Sequence, residues 1–186
     1  MIFGDPHQFA ILIEKVPEWT VPGSYENGLF HYIIDGQLFP DNANVSTLGG
    51  DIGCLSKDNA LINPPEDTHL FNLPRQQAFA AMLNSMFPEI LNPGIEVSDD
   101  FVTDYKYMAS TYNLEDRHCY IVAVSSGPKI RIMGAKTSFQ VGNKVEGYAW
   151  KDCETLNIYE AFLSKKAVLK IIKEVKSKVE ISRDYS

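Results

Sequence analysis

The sequence predicts an α+β fold: one domain over residues 1–186, with a mostly antiparallel sheet and a middle and a C-terminal helix packed on it. Three observations carry this. Residues 117–134, RHCYIVAVSSGPKIRIMG, set two β-rich runs on either side of Gly127-Pro128, the pattern of a hairpin. Asp35-Gly36 sits between two further apolar runs, and such a pair tolerates the positive φ that a tight hairpin turn requires. Two other stretches repeat apolar residues every three or four positions, the spacing of a helix with one buried face.

Taken in order, residues 9–16, FAILIEKV, form a strand that Pro17 ends. A turn-rich loop over 17–28 holds Trp19, Pro22, Gly23 and Tyr25. Residues 29–34 and 37–39 flank Asp35-Gly36, so the N-terminal region is a three-stranded antiparallel meander. Gly and Pro break every long pattern over 40–68, where 51–60 can form a short helix with Ile52 and Leu55 inward. Asn72 is placed to cap the middle helix, with Pro74 in its first turn. Its inner face is Ala78, Phe79, Met82, Leu83, Met86 and Phe87, and Pro88 ends it.

Residues 92–104 are an acidic loop, 105–112 a strand, and 113–117 a polar turn into the central hairpin. YIVAV, 120–124, is apolar throughout, as a strand buried on both faces is. IRIM, 130–133, alternates and points Arg131 away from the core. Residues 136–144 are polar and carry only a weak pattern, and 156–163 are β-like. Ser164 can cap a last helix with Val168, Leu169, Ile171, Ile172, Val175 and Val179 inside and lysines outside.

The bulk numbers are those of an ordinary globular protein: 186 residues, 45% hydrophobic and 22% charged. No apolar run reaches the roughly 18 residues of a membrane span, and no basic segment precedes the first apolar run as in a secretory signal. Cys54, Cys119 and Cys153 are odd in number and far apart. They read as reduced thiols of a cytoplasmic protein, not as a disulfide framework or zinc site. Residues 161–186 hold seven basic and three acidic residues, which leaves ten basic and twenty-one acidic elsewhere, a net of −11. Such a body repels phosphates, so nucleic acid is disfavoured as a direct partner.

No catalytic constellation stands out. His7, His31, His69 and His118 lack partners at ligand spacing, and no serine has a G-x-S-x-G context. LGGDIG, 48–53, is followed by no GK[ST]. No cofactor or metal is expected.

Several segments resemble a known family: MIFGDP followed by FAI at 9–11, Glu18-Trp19, NGLF at 27–30, IDGQLFP at 34–40, LFNLP at 70–74 and AVSSGPKIRIMGAKT at 123–137. In this order and spacing they resemble the immunity protein 42 family of bacterial polymorphic toxin systems. The resemblance implies a cytoplasmic, non-catalytic protein that binds and neutralises a cognate toxin domain, for instance one delivered by contact-dependent inhibition. If that toxin is a nuclease, it presents basic residues to phosphate. Acidic side chains opposite them would speed association. The densest acidic group is Glu96, Asp99, Asp100 and Asp104, followed by Glu115 and Asp116. Trp19 and Tyr25 are the second candidates, since Trp and Tyr anchor many interfaces. The alternative is a small ligand-binding domain or enzyme with the loop 19–25 lining its pocket.

Overall fold

A computed structural model describes residues 1–183 of the chain, with side chains described through residue 178. Strands β1 (Ile2–Gly4), β2 (Phe9–Lys15), β3 (Asn27–Ile34) and β4 (Gln37–Phe39) form a sheet in that order, and β5 (Ser46–Thr47) pairs with β3. Five helices follow: α1 (Leu48–Cys54), α2 (Thr68–Asn72), α3 (Arg75–Asn84), α4 (Pro88–Leu91) and α5 (Tyr112–Glu115). The central hairpin is β6 (Cys119–Ser126) and β7 (Lys129–Lys136). Next come β8 (Ser138–Asn143), β9 (Gly147–Asp152), β10 (Tyr159–Ser164) and α6 (Lys165–Arg183). β10, β7 and β6 make a second sheet, and β8 and β9 a separate two-stranded ribbon. Every strand pairing in the three sheets is antiparallel.

The architecture is the expected α+β fold. Both hairpin turns are where the sequence puts them. Asp35 and Gly36 adopt φ of 49° and 81°, and Gly127 adopts 56° ahead of Pro128. Glu66 braces the second turn by accepting a hydrogen bond from the Gly127 amide at 2.6 Å. Strand β6 is buried on both faces, and alternation sorts its residues. Cys119, Ile121 and Ala123 join the core shared with Phe9, Ile11, Phe30, Tyr32 and Ile34 of the first sheet. Tyr120, Val122 and Val124 face a second core built by Phe79, Met82 and Leu83 of α3. At Gly134 of β7 a Cβ would lie 2.6 Å from Ile121 Cδ1 and 2.9 Å from Ile34 Cδ1, so these two side chains occupy the space a larger residue would need.

Helix α6 is capped by Ser164, whose Oγ accepts from the Ala167 amide at 3.1 Å. Val168, Ile171, Ile172 and Val175 are buried in the first core, whereas Leu169 is 43% exposed. The side chain of Val179 lies outside the described residues.

Several segments differ from expectation, each for a local reason. Residues 105–112 are not a strand. Asp104 Oδ1 accepts from the Lys106 amide at 3.2 Å, and this bond stabilises a 3₁₀ turn at Tyr105–Tyr107 instead of extended backbone. The segment pairs with β6 through one antiparallel bridge, Met108 to Val122. Beside it, the Ser110 hydroxyl accepts from the Ile121 amide at 2.8 Å in place of a carbonyl. The middle helix begins at Arg75 with Pro74, not Asn72, at its cap position, because Leu73 precedes a proline and is held extended. Asn72 instead belongs to α2, a helix that Asp67 caps by accepting from the Leu70 amide at 2.9 Å. Pro88 does not stop α3 but opens α4 at its first position, where its missing amide costs nothing. The short helix expected over 51–60 occupies Leu48–Cys54, with Ile52 and Leu55 buried as expected. Residues 138–152, only weakly patterned at 136–144, form the β8–β9 ribbon.

Arg131 does leave the first core, yet it is 3% exposed because α2 and the start of α3 cover that second face. Its Nη2 pairs with Glu160 Oε2 at 2.6 Å. Its Nη1 donates to the carbonyls of Phe71 and Leu73 at 2.9 and 2.8 Å and to Leu70 at 3.4 Å. One side chain thus closes the C-terminal end of α2 and ties it to the central sheet.

Candidate functional site

Three grooves follow one another around α1 and α5, and three of the eight expected site residues, Tyr25, Glu115 and Asp116, line them. The first, about 630 Å³, is lined by the loop from Thr20 to Glu26 and by Gly49 at the start of α1. Tyr25 stands in it, 79% exposed. Trp19 is also exposed, but it does not line this groove, and its carbonyl accepts from Asn27 Nδ2 at 2.8 Å. The second, about 150 Å³, begins at the adjacent Gly50 and holds Thr47, Asp51, Tyr112 and Asp116. The third, about 390 Å³, lies across α5 and holds Asp58, Phe87, Tyr105, Met108 and Glu115. Asp104 precedes Tyr105, so the acidic loop ends at the rim of this third groove.

The carboxylates differ in environment. Glu96, Asp99 and Asp100 are exposed on the loop between α4 and the 3₁₀ turn. The Lys106 ammonium, 2.7 Å away, holds the Asp104 carboxyl below its usual range. Burial, and then the neighbouring charge of Asp116, push the Glu115 carboxyl above its usual range. Tyr120 is pushed up to about 12 by burial first, then by the charges of Glu115 and Glu89. Buried Asp51 anchors α1 by accepting from the Asn113 amide at 3.0 Å and from the Ser46 hydroxyl.

Among the described residues no three His, Cys, Asp or Glu side chains converge to hold a metal ion. His31 is buried against the Pro40 carbonyl at 2.9 Å, and His118 lies on the Trp150 ring with centroids 4.2 Å apart. No helix among the described residues is long and apolar enough to cross a membrane.

The family model for immunity protein 42 matches residues 1–178. The chain belongs to the immunity protein 42 family. Its fold is similar to that of the crystal structure of CdiI from Burkholderia dolosa AUO158. The TM-score is 0.65 at 23% identity, with 96% of this chain and 99% of that one covered. No curated protein matches.

The grooves of this immunity protein unite residues that nothing in the sequence places together. Asp58, Phe87 and Tyr105 come from three separate segments, and only the fold unites them. The β8–β9 ribbon was also missed. It exposes Phe139, Val141, Val145, Tyr148 and Trp150. Its signal was present in the alternation of Phe139 with Val141 and of Tyr148 with Trp150, about a turn bounded by Gly142 and Gly147. Phe139 also lines a groove of about 310 Å³ with Phe39, Tyr159 and the Asp41–Lys136 ion pair.

Proposed function

We propose that this chain binds and neutralises the toxin domain of a contact-dependent inhibition system, in the cytoplasm, by association alone. The observation that carries this reading is the family match over residues 1–178. The shared fold with a CdiI protein supports it. The toxin is read as basic, in keeping with a nuclease, because residues 1–160 carry a net charge of −11. Opposite charge on the two partners raises the rate of encounter and selects against wrong ones. The acidic loop with Glu96, Asp99, Asp100 and Asp104 is read as the first toxin-facing segment, with Glu115 and Asp116 beside it. Trp19 and Tyr25, on the loop before β3, are the next candidates should the acidic loop lie outside the interface. Neither nucleic acid nor a membrane is a direct partner in this reading.

The test is co-expression of this chain with the C-terminal domain encoded by the gene immediately upstream. Survival of the cells and co-purification of the two chains are expected. Cell death at matched expression, with no complex recovered, would overturn the reading.

A further inference from the structure

The groove across α5 holds a carboxylate without a counter-ion among the described residues. Glu115 is half-buried, and the influences on its carboxyl are burial and Asp116; no hydrogen bond or cation figures among them. Among the described residues no Lys, Arg or His lines the groove, and its second carboxylate is the exposed Asp58. Beside Glu115 the Tyr120 ring is 9% exposed, and its hydroxyl makes no hydrogen bond among the described residues. The wall is aromatic: Phe87 and Tyr105 line it with ring centroids 5.7 Å apart, and Tyr120 backs Phe87 at 5.5 Å.

Withdrawing a charge from water without a partner is costly. The fold gains nothing visible in return, since α5 is held by backbone bonds such as Glu115 N–H to the Thr111 carbonyl at 3.0 Å. A glutamine would satisfy the same backbone. The charge therefore fits a cation that arrives from outside, and the groove's shape selects among cations. Aromatic faces attract a planar guanidinium, which also pairs with carboxylates through two parallel N–H donors.

We propose that this groove receives an arginine side chain of the cognate toxin, stacked against Phe87 and Tyr105 and paired with Glu115, with Asp58 at the mouth. This rests on the toxin-binding reading above and adds to it the chemistry of one contact. Arginine and tyrosine are enriched among the residues that carry most of an interface's binding energy.

The experiment is calorimetric titration of the full chain with the upstream gene's C-terminal domain, for the wild type, Glu115→Gln and Asp58→Asn, together with the melting temperature of each free variant. Glu115→Gln is expected to weaken binding about 30-fold, the loss that marks an interface hot spot, and Asp58→Asn to weaken it less. The free Glu115→Gln protein is expected to melt at or above the wild-type temperature at pH 7, because its raised carboxyl opposes folding once ionised. Glu115→Gln binding within about threefold of the wild type would overturn the groove proposal alone. Weaker binding together with a lower melting temperature would assign Glu115 a structural role and overturn it too. Absence of binding by the wild type would overturn the toxin-binding reading, and the groove with it.

Discussion

Arg131→Met tests how the two layers are joined. The arginine is 3% exposed, and its partner Glu160 keeps 24% of its side-chain surface in water. Removing one member of a buried ion pair costs about 3–5 kcal/mol, because the other charge is left uncompensated. The carbonyls of Phe71 and Leu73 lose their donors as well, so the upper half of that range is expected. Methionine keeps the bulk beside Phe162, whose ring lies 5.3 Å from the guanidinium carbon. The loss is therefore electrostatic rather than a packing defect. Domains typically have about 5–15 kcal/mol in total, so the variant should fold but sit close to its unfolding midpoint. Urea unfolding followed by circular dichroism would show the midpoint lowered by about 2 M, taking a slope of about 2 kcal/mol per molar. The double variant Arg131→Met/Glu160→Leu should recover part of the loss, because no charge is then stranded. A single-variant loss below about 1 kcal/mol would refute the reasoning, since only a solvated arginine is so dispensable.

Truncation after Ser164 should leave the chain unable to melt cooperatively. It uncovers Val168, Ile171, Ile172 and Val175, about 6–12 kcal/mol of burial at 1.5–3 kcal/mol each. His31 is held neutral by burial, with its pKa below the ordinary 6.5. Stability should therefore be full above pH 6.5 and fall as the unfolded chain alone takes up the proton, and His31→Gln should flatten that part of a pH–stability profile. Exchanging both Asp99 and Asp100 for lysine should slow association with the toxin domain in stopped-flow measurements, most strongly at low salt, where screening is weak.

Local signals were legible in the sequence, and long-range ones were not. Asp35-Gly36 and Gly127-Pro128 carry their turn chemistry with them, so both hairpins are legible in the sequence. The burial of YIVAV on both faces followed from its lack of polar residues, and Ser164 announced its helix. Arg131 was misread because alternation reports only which face a side chain takes. That α2 would cover the face depends on Leu73-Pro74 turning the chain back across the sheet. Residues 105–112 look like a strand by composition, but Asp104 turns their first residues with one side-chain hydrogen bond. The acidic loop and Glu115 were visible as charges. Their relation to Asp58 and Phe87 was not, because those residues lie in segments that only the tertiary fold brings to one groove.

The central claim is neutralisation by association, and stoichiometry tests it most directly. A fixed amount of the upstream gene's toxin domain would be titrated with this chain while residual toxin activity is followed. The account predicts a linear fall that ends at one chain per toxin domain. Complete inactivation by a small fraction of one equivalent, increasing with time, would contradict it and mark the chain as an enzyme acting on the toxin.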